Sequence, residues 1–151
     1  AADTSKWQPQ NLNDLTIRGL DFNINFSGQA LLGSDDILEN IQIGYTYIDA
    51  EIPQYSNIIS RYVLENLNHQ LTVNIQHRIV GQLHHNLRLR YLDRTSMANY
   101  FVIDTKLFWE AEKYSFYLTI NNLFNESYYE SNLVEMPGLW LFAGIKLKIP
   151  Y

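Results

Sequence analysis

Four histidines and a set of arginines are the side chains of this sequence with the most obvious chemistry. His69, His77 and His85 fall on odd positions; Arg78, Arg88 and Arg90 fall on even ones, with Gln76 and Asn86 among them. Two facing imidazoles would bind a metal, and a row of guanidiniums would line a path for an anion. Asp49 with Glu51, or Asp35 with Asp36, would serve as an acid/base pair. None of these sits in a catalytic pattern: there is no Gly-x-Ser-x-Gly elbow, no phosphate-binding glycine loop and no His-Glu-x-x-His. The absence of cysteine excludes disulfides and thiolate chemistry. The expectation is a protein that is not an enzyme, with no catalytic residue, no metal and no cofactor.

What positions these groups is a period-two alternation. Leu67, His69, Leu71, Val73, Ile75, His77 and Ile79 alternate with Asn68, Gln70, Thr72, Asn74, Gln76 and Arg78, all polar. Alternate side chains of a strand point to opposite faces, so this is a strand with one apolar and one polar face. Its thirteen residues reach roughly 43 Å, whereas soluble strands usually have about 5–6 residues and a tilted membrane strand about 9–11. Leu83, His85, Leu87, Leu89 and Tyr91 continue the pattern, with His84, Asn86, Arg88 and Arg90 between them. Gly81 joins the two, and glycine tolerates the positive φ of a tight hairpin. A loop at Val80-Gly81-Gln82 sets Val73 against Leu89, Leu71 against Tyr91, Asn74 against Arg88 and Thr72 against Arg90. Both faces then match across the hairpin, and a one-residue slip would destroy the match. His77 and His85 meet on the apolar face near the turn, a place for interfacial polar residues more than for a metal. The arginines share the polar face, where acidic groups of the wall or of a plug would pair with them.

Five further strands follow the same logic. Leu139, Leu141, Ala143, Ile145, Leu147, Ile149 and Tyr151 make an apolar row ending on an aromatic residue. Phe101–Trp109 and Tyr114–Ile120 form a hairpin whose loop, Glu110 to Lys113, pairs Trp109 with Tyr114. Ile41–Tyr47 and Leu20–Phe26 supply two more. Leu15 and Ile17 have the opposite parity, which predicts a bulge near Arg18-Gly19. Short turns lie near Gly81 and Glu112, and long loops at 51–66 and 122–138; the Ser27–Asp36 link interrupts the trend. Short turns on one rim and long loops on the other are the outer-membrane arrangement. The fold class expected is all-β: an antiparallel transmembrane β-barrel wall of about seven strands.

Composition agrees without announcing a membrane protein. Mean hydropathy is slightly negative, as a half-polar barrel wall would give, and no run of eighteen apolar residues offers a membrane helix. Aromatic residues make up 14% of the chain, including eleven tyrosines and three tryptophans, enough for interfacial girdles. A net charge of -5 and the lack of a basic stripe argue against nucleic acid as a partner. No leader precedes Ala1, so any signal peptide is expected to be gone already. An odd strand count leaves two open edges, which do not persist in lipid. Either a strand is hidden in Tyr55–Leu64, or the whole of 1–151 is a piece of a larger wall. Ala1–Asn13 favours the latter, reading as a loop arriving from an earlier strand.

Thr119-Ile120-Asn121-Asn122-Leu123-Phe124-Asn125, followed by Tyr128-Tyr129-Glu130, resembles the penultimate strand and last loop of TonB-dependent outer-membrane receptors. Met136-Pro137-Gly138 and the aromatic strand after it resemble their final strand. Leu15 to Phe22, Tyr45 to Ala50 and Phe101 to Asp104 are similar to earlier strands of that family. Leu139 stands where the family usually has Arg, and Tyr151, after Pro150, where it usually has Phe. The resemblance implies the C-terminal third of a twenty-two-stranded barrel in the outer membrane of a Gram-negative bacterium. It implies active transport of a scarce nutrient complex: cobalamin, a ferric siderophore or haem. The partners implied are the remaining strands and the plug, an inner-membrane energy-transducing protein acting through that plug, and lipid or lipopolysaccharide. Loops carry binding, so Tyr55, Tyr62, Tyr128, Tyr129 and Met136 are the candidate ligand contacts. Tyr45, Tyr91, Trp109, Tyr114 and Trp140 are assigned to the girdles. Glu51, Glu65, Asp93, Glu126, Glu130 and Glu135 would solvate the loops. Two rivals stand: a complete eight-stranded membrane barrel serving as anchor or adhesin, and a soluble lipocalin-like carrier with the apolar face inside.

Overall fold

The computed structural model describes residues 16–51, 67–95, 97–131 and 134–148. Strand β1 (Thr16–Ser27) leads through a one-turn helix α1 (Gly28–Leu32) into β2 (Leu38–Glu51). Then come β3 (Leu67–Val80), β4 (Leu83–Arg94), β5 (Met97–Glu110) and β6 (Tyr114–Asn121). A small hairpin of β7 (Tyr129–Ser131) and β8 (Val134–Glu135) precedes β9 (Trp140–Leu147). Seven strands form one sheet in the order β1-β2-β3-β4-β5-β6-β9, every neighbouring pair antiparallel. The sheet is open, with β1 and β9 at its edges, and β7-β8 is a separate pair.

The registers extend the alternation of each strand across the whole sheet. Ile24 lies opposite Ile43, Ile43 opposite Val73, Val73 opposite Leu89, and Leu89 opposite Ile103. Beyond them Leu107 pairs with Leu118 and Leu118 with Ala143. One face is therefore apolar through all seven strands. The other carries Asn23, Gln42, Thr72, Asn74, Arg88, Asp104, Lys106, Thr119 and Lys146. Among the described residues only Leu92, Tyr100, Val102 and Tyr128 are buried hydrophobics, and all four lie on the polar side or in the loop above it. Phe22, Phe101, Phe116, Leu141 and Ile145 of the apolar face stay exposed.

The β3–β4 hairpin has the register that the two-face match demands: Leu71 with Tyr91, Thr72 with Arg90, Asn74 with Arg88 and His77 with His85. The expected loop of Val80-Gly81-Gln82 is corrected at its start: a bulge at Ile79 lets Val80 pair with Leu83, so that Gly81 and Gln82 alone make the turn. Gly81 has φ +56, and a Cβ added there would meet nothing. Only backbone strain then opposes substitution. Gly81→Val is expected to cost about 1–2 kcal/mol, with Gly81→Asn clearly milder, as read from urea unfolding midpoints.

Three further expectations are corrected. β1 has no bulge at Arg18-Gly19: its ladder with β2 runs unbroken from Thr16–Glu51 to Ser27–Asn40. Ile17 instead stands on the otherwise polar face opposite Ala50, a small apolar pair that needs no change of parity. Trp109 pairs with Phe116, not Tyr114, because the turn is tighter: the Ala111 N–H donates to Tyr114 O at 2.9 Å and leaves Glu112-Lys113 at the tip. The loop remains even-numbered, so the faces are preserved. Trp140, assigned to a girdle with Trp109, points to the opposite face, since it pairs with Asn121 in the row of Thr119 and Ser115.

The Ser27–Asp36 link is α1. The Ser27 hydroxyl accepts from the Ala30 N–H at 3.2 Å, and Gly33 closes the helix at φ +77. No described helix is long and apolar enough to cross a membrane. The Tyr55–Leu64 segment suspected of hiding a strand, the Ala1–Asn13 arm and the Ile149–Tyr151 end lie outside the described residues.

Candidate functional site

The charged groups gather on the polar face in two clusters. Near the short turns, Glu39 of β2 takes a hydrogen bond from Gln76 Nε2 at 2.6 Å, and lies 2.7 Å from His84 Nδ1 and 3.4 Å from Arg78. The arginine and histidine are brought to it by the β2–β3–β4 register, which stacks Asn40, Gln76, Arg78 and His84 along one face. Toward the long loops, Arg90 is flanked by Asp104 and Glu130, each at 3.4 Å. Asp104 comes from β5 of the sheet, Glu130 from β7 in the loop. Tyr128 lies within electrostatic reach of the same guanidinium. Arg78 and Arg90 thus pair with acids of the sheet itself. Arg88 is exposed, and among the described residues it has no ion-pair partner, although Asp104 lies opposite it in register. Lys106, two residues along from Asp104, spreads over the rings of Phe108 and Tyr117 at 5.6 and 5.5 Å. Tyr117 in turn lies across Gly144, where a Cβ would collide with its ring.

The loop after β6 is strapped down onto this face. Asn122 turns the chain at φ +53, a left-handed conformation that asparagine tolerates better than most residues. It is 2% exposed. Its Nδ2 donates to Glu126 O at 2.8 Å and Pro137 O at 3.3 Å, its Oδ1 accepts from the Glu126 N–H at 2.8 Å, and its own N–H donates to Asp104 Oδ1 at 2.9 Å. Asn125, also left-handed at φ +54, accepts from the Leu139 N–H at 2.8 Å. Between these points Tyr128 packs on Tyr100 with ring centroids 4.5 Å apart. Val102, at 1% exposure, Leu92, Leu67 and Met136 complete the cluster. The Tyr100 hydroxyl is buried without a hydrogen-bond partner among the described residues, within electrostatic reach of Arg90 and Glu130.

The candidate ligand contacts fall in different places. Tyr55 and Tyr62 lie outside the described residues. Tyr128 is buried in the cluster, Met136 packs against it, and Tyr129 is exposed at the start of β7. The strap unites Tyr128, Met136 and Arg90, a grouping that strand alternation does not reveal. Strand alternation assigns no role at this site to Asn122, Glu39, Asp104 or Tyr100; the one available signal is an asparagine pair placed where a strand must stop.

On the apolar face, His77 and His85 meet as expected, ring centroids 4.8 Å apart and edge to face. His85 Nε2 lies 2.6 Å from Thr105 Oγ1. Among the described residues no group of three metal-ligating side chains assembles. His69 instead meets the Tyr45 hydroxyl at 2.9 Å and stacks on Tyr47 at 5.0 Å. Asp35 accepts from the Gln29 N–H at 2.6 Å in the α1 turn, and Asp49 stands opposite Arg18. Trp109 stacks on Phe116 at 5.9 Å, with Tyr114 edge-on to both.

Comparison with protein-family models, with curated proteins and with solved structures returns no match.

Proposed function

We propose that this chain is part of the wall of a β-barrel in a bacterial outer membrane. In this reading it is the C-terminal part of a TonB-dependent receptor that takes up a scarce nutrient complex such as cobalamin, a ferric siderophore or haem. Other strands complete the wall, a plug fills it, and an inner-membrane protein supplies energy through the plug. Catalysis has no part in the activity.

The observation that supports this reading is the seven-strand apolar face, which no other described element of the chain covers. Water would make so large an apolar patch a liability; lipid would make it the natural boundary. The rows at its margins fit that boundary. Arg18, Asp49, Asp93 and Asn99 lie along the long-loop margin, with Tyr45, Tyr47, Tyr91 and Phe101 inside them. His77, His85, Trp109 and Tyr114 lie near the short turns. Asn99 and Trp109 are ten residues apart, roughly 33 Å along the strand and about 23 Å of depth at a 45° tilt. Outer-membrane barrels carry an apolar band of about 25 Å flanked by aromatic girdles.

The two described tryptophans make the test, because they lie on opposite faces. In vesicles containing brominated phospholipid, Trp109 studied in a Trp7→Phe, Trp140→Phe background is expected to lose more than half of its emission. Trp140 studied in a Trp7→Phe, Trp109→Phe background is expected to keep most of its emission and to respond to aqueous acrylamide. The reverse pattern, or a detergent-free monomer with Trp109 shielded from both quenchers, would establish the lipocalin-like arrangement instead.

A further inference from the structure

We infer that Arg88, Arg90 and Tyr100 form a binding site on the polar face for a small dicarboxylate-bearing ligand, and that Glu130 fills part of it until that ligand arrives. The inference deepens the transport reading, since it places the site on the lumen side of the proposed wall. Three observations meet here. Arg88 is exposed and uncommitted among the described residues, beside an Arg90 that is already half engaged. Arg90 is held loosely: both of its carboxylate neighbours are at 3.4 Å, and among the described residues its Nε makes no aligned hydrogen bond. The Tyr100 side chain, 5% exposed, keeps its hydroxyl without a hydrogen-bond partner among the described residues and within reach of the same charges.

The two carboxylates beside Arg90 differ in what holds them. Asp104 belongs to the sheet and also accepts the Asn122 N–H. Glu130 belongs to the short β7-β8 pair, and its side chain is 40% exposed. A competing anion would displace Glu130 and leave Asp104 in place. Arg90 is the ion-pair partner of Asp104, Arg88 stands opposite Asp104 in the ladder and Lys106 follows it by two residues, so removal of Glu130 leaves three cations near a single carboxylate. Arg88 and Arg90 are two residues apart on one strand face, about 6.6 Å along the strand. That spacing suits the two ends of a short dicarboxylate, each gripped by a guanidinium fork, with the Tyr100 hydroxyl free to donate to one of them. Binding would also exchange the Arg90–Glu130 tie for a ligand contact and so loosen β7-β8, coupling occupancy to the loop that covers the site.

The test is equilibrium dialysis of radiolabelled glutarate against the full chain in detergent at fixed ionic strength. Amide exchange at Met136, whose N–H donates to Tyr128 O at 2.9 Å, is followed in parallel. Saturable binding is expected, about tenfold tighter in Glu130→Gln and at least tenfold weaker in Arg88→Gln. Glutarate is expected to speed exchange at Met136 in the wild type. Arg88 has no hydrogen bond or ion pair to the loop among the described residues, so Arg88→Gln should leave exchange at Met136 unchanged in the absence of glutarate and thereby report its own folding. No saturable binding, an affinity unmoved or lowered in Glu130→Gln, or wild-type affinity in Arg88→Gln would each overturn the site. These readouts do not depend on which face meets lipid. Bromolipid quenching of Trp109 can stand while the anion site falls, and the converse is equally visible.

Discussion

Leu89→Arg is expected to weaken assembly in a bilayer by about 2–4 kcal/mol, the cost of placing a cation near the lipid midplane of the barrel wall proposed above. Leu89 lies between Val73 and Ile103 in the ladder, halfway between the His85 row and the Asp93 row of the same face. An arginine there has no acidic neighbour on its own face and a long way to either margin. Arg88→Leu, one residue away, makes the complementary change on the opposite face. Its guanidinium is exposed and unpaired among the described residues, so the expected effect on assembly is under about 1 kcal/mol, as for surface substitutions generally. Urea titrations of the chain folded into vesicles, read by heat-modifiable gel mobility, compare the two directly. Equal damage from both, or greater damage from Arg88→Leu, would remove lipid from the account of the apolar face.

Asn122→Ala is expected to loosen the 122–138 strap by roughly 3–4 kcal/mol. Three hydrogen bonds depend on the side chain, each contributing about 1 kcal/mol and more if its partner is left buried and unmet. The φ of +53 adds about 1 kcal/mol for any residue with an ordinary Cβ. Asn122→Gly removes the hydrogen bonds but relieves the backbone, so it should fall short of Ala by about that last amount. Asn122→Asp keeps the acceptor for the Glu126 N–H and should also be milder. The quantity to measure is the local opening free energy from amide exchange at Glu126, Met136 and Leu139, because strapped loops open well below the global stability. Unchanged exchange at all three amides in Asn122→Ala would mean that the Tyr100–Tyr128 packing alone holds the loop.

The sheet was readable because its signal is local. Period-two alternation places each of Val73, Leu89 and Ile103 on a face, and one glycine at position 81 sets the register from which the other β3–β4 pairs follow. The errors came where a local signal has two explanations. Ile17 on the wrong parity is equally an inserted residue or an apolar side chain on a polar face, and only the ladder to Ala50 chooses between them. An even loop after Trp109 fits either two or four residues, and the Ala111–Tyr114 hydrogen bond selects two. The strap was illegible for a different reason. Tyr100 and Tyr128 are 28 positions apart, and Arg90 and Glu130 are 40 apart, with no periodicity linking them. Such contacts depend on how a loop closes over a sheet, and loop closure leaves little trace in composition. The residues that carry it are polar or aromatic and read individually as solvated or ligand-facing.

The sheet runs through seven strands in sequence order with every neighbour reversed, so β1 and β9 point the same way. Joining one edge to the other, within a single molecule or head to tail between copies, would therefore make a parallel seam in an otherwise antiparallel cylinder. A ring with no such seam needs an odd number of extra strands, and the first and last of these must both run opposite to β1. Any candidate for closing the sheet into a ring can be judged by that arithmetic before a single side chain is considered.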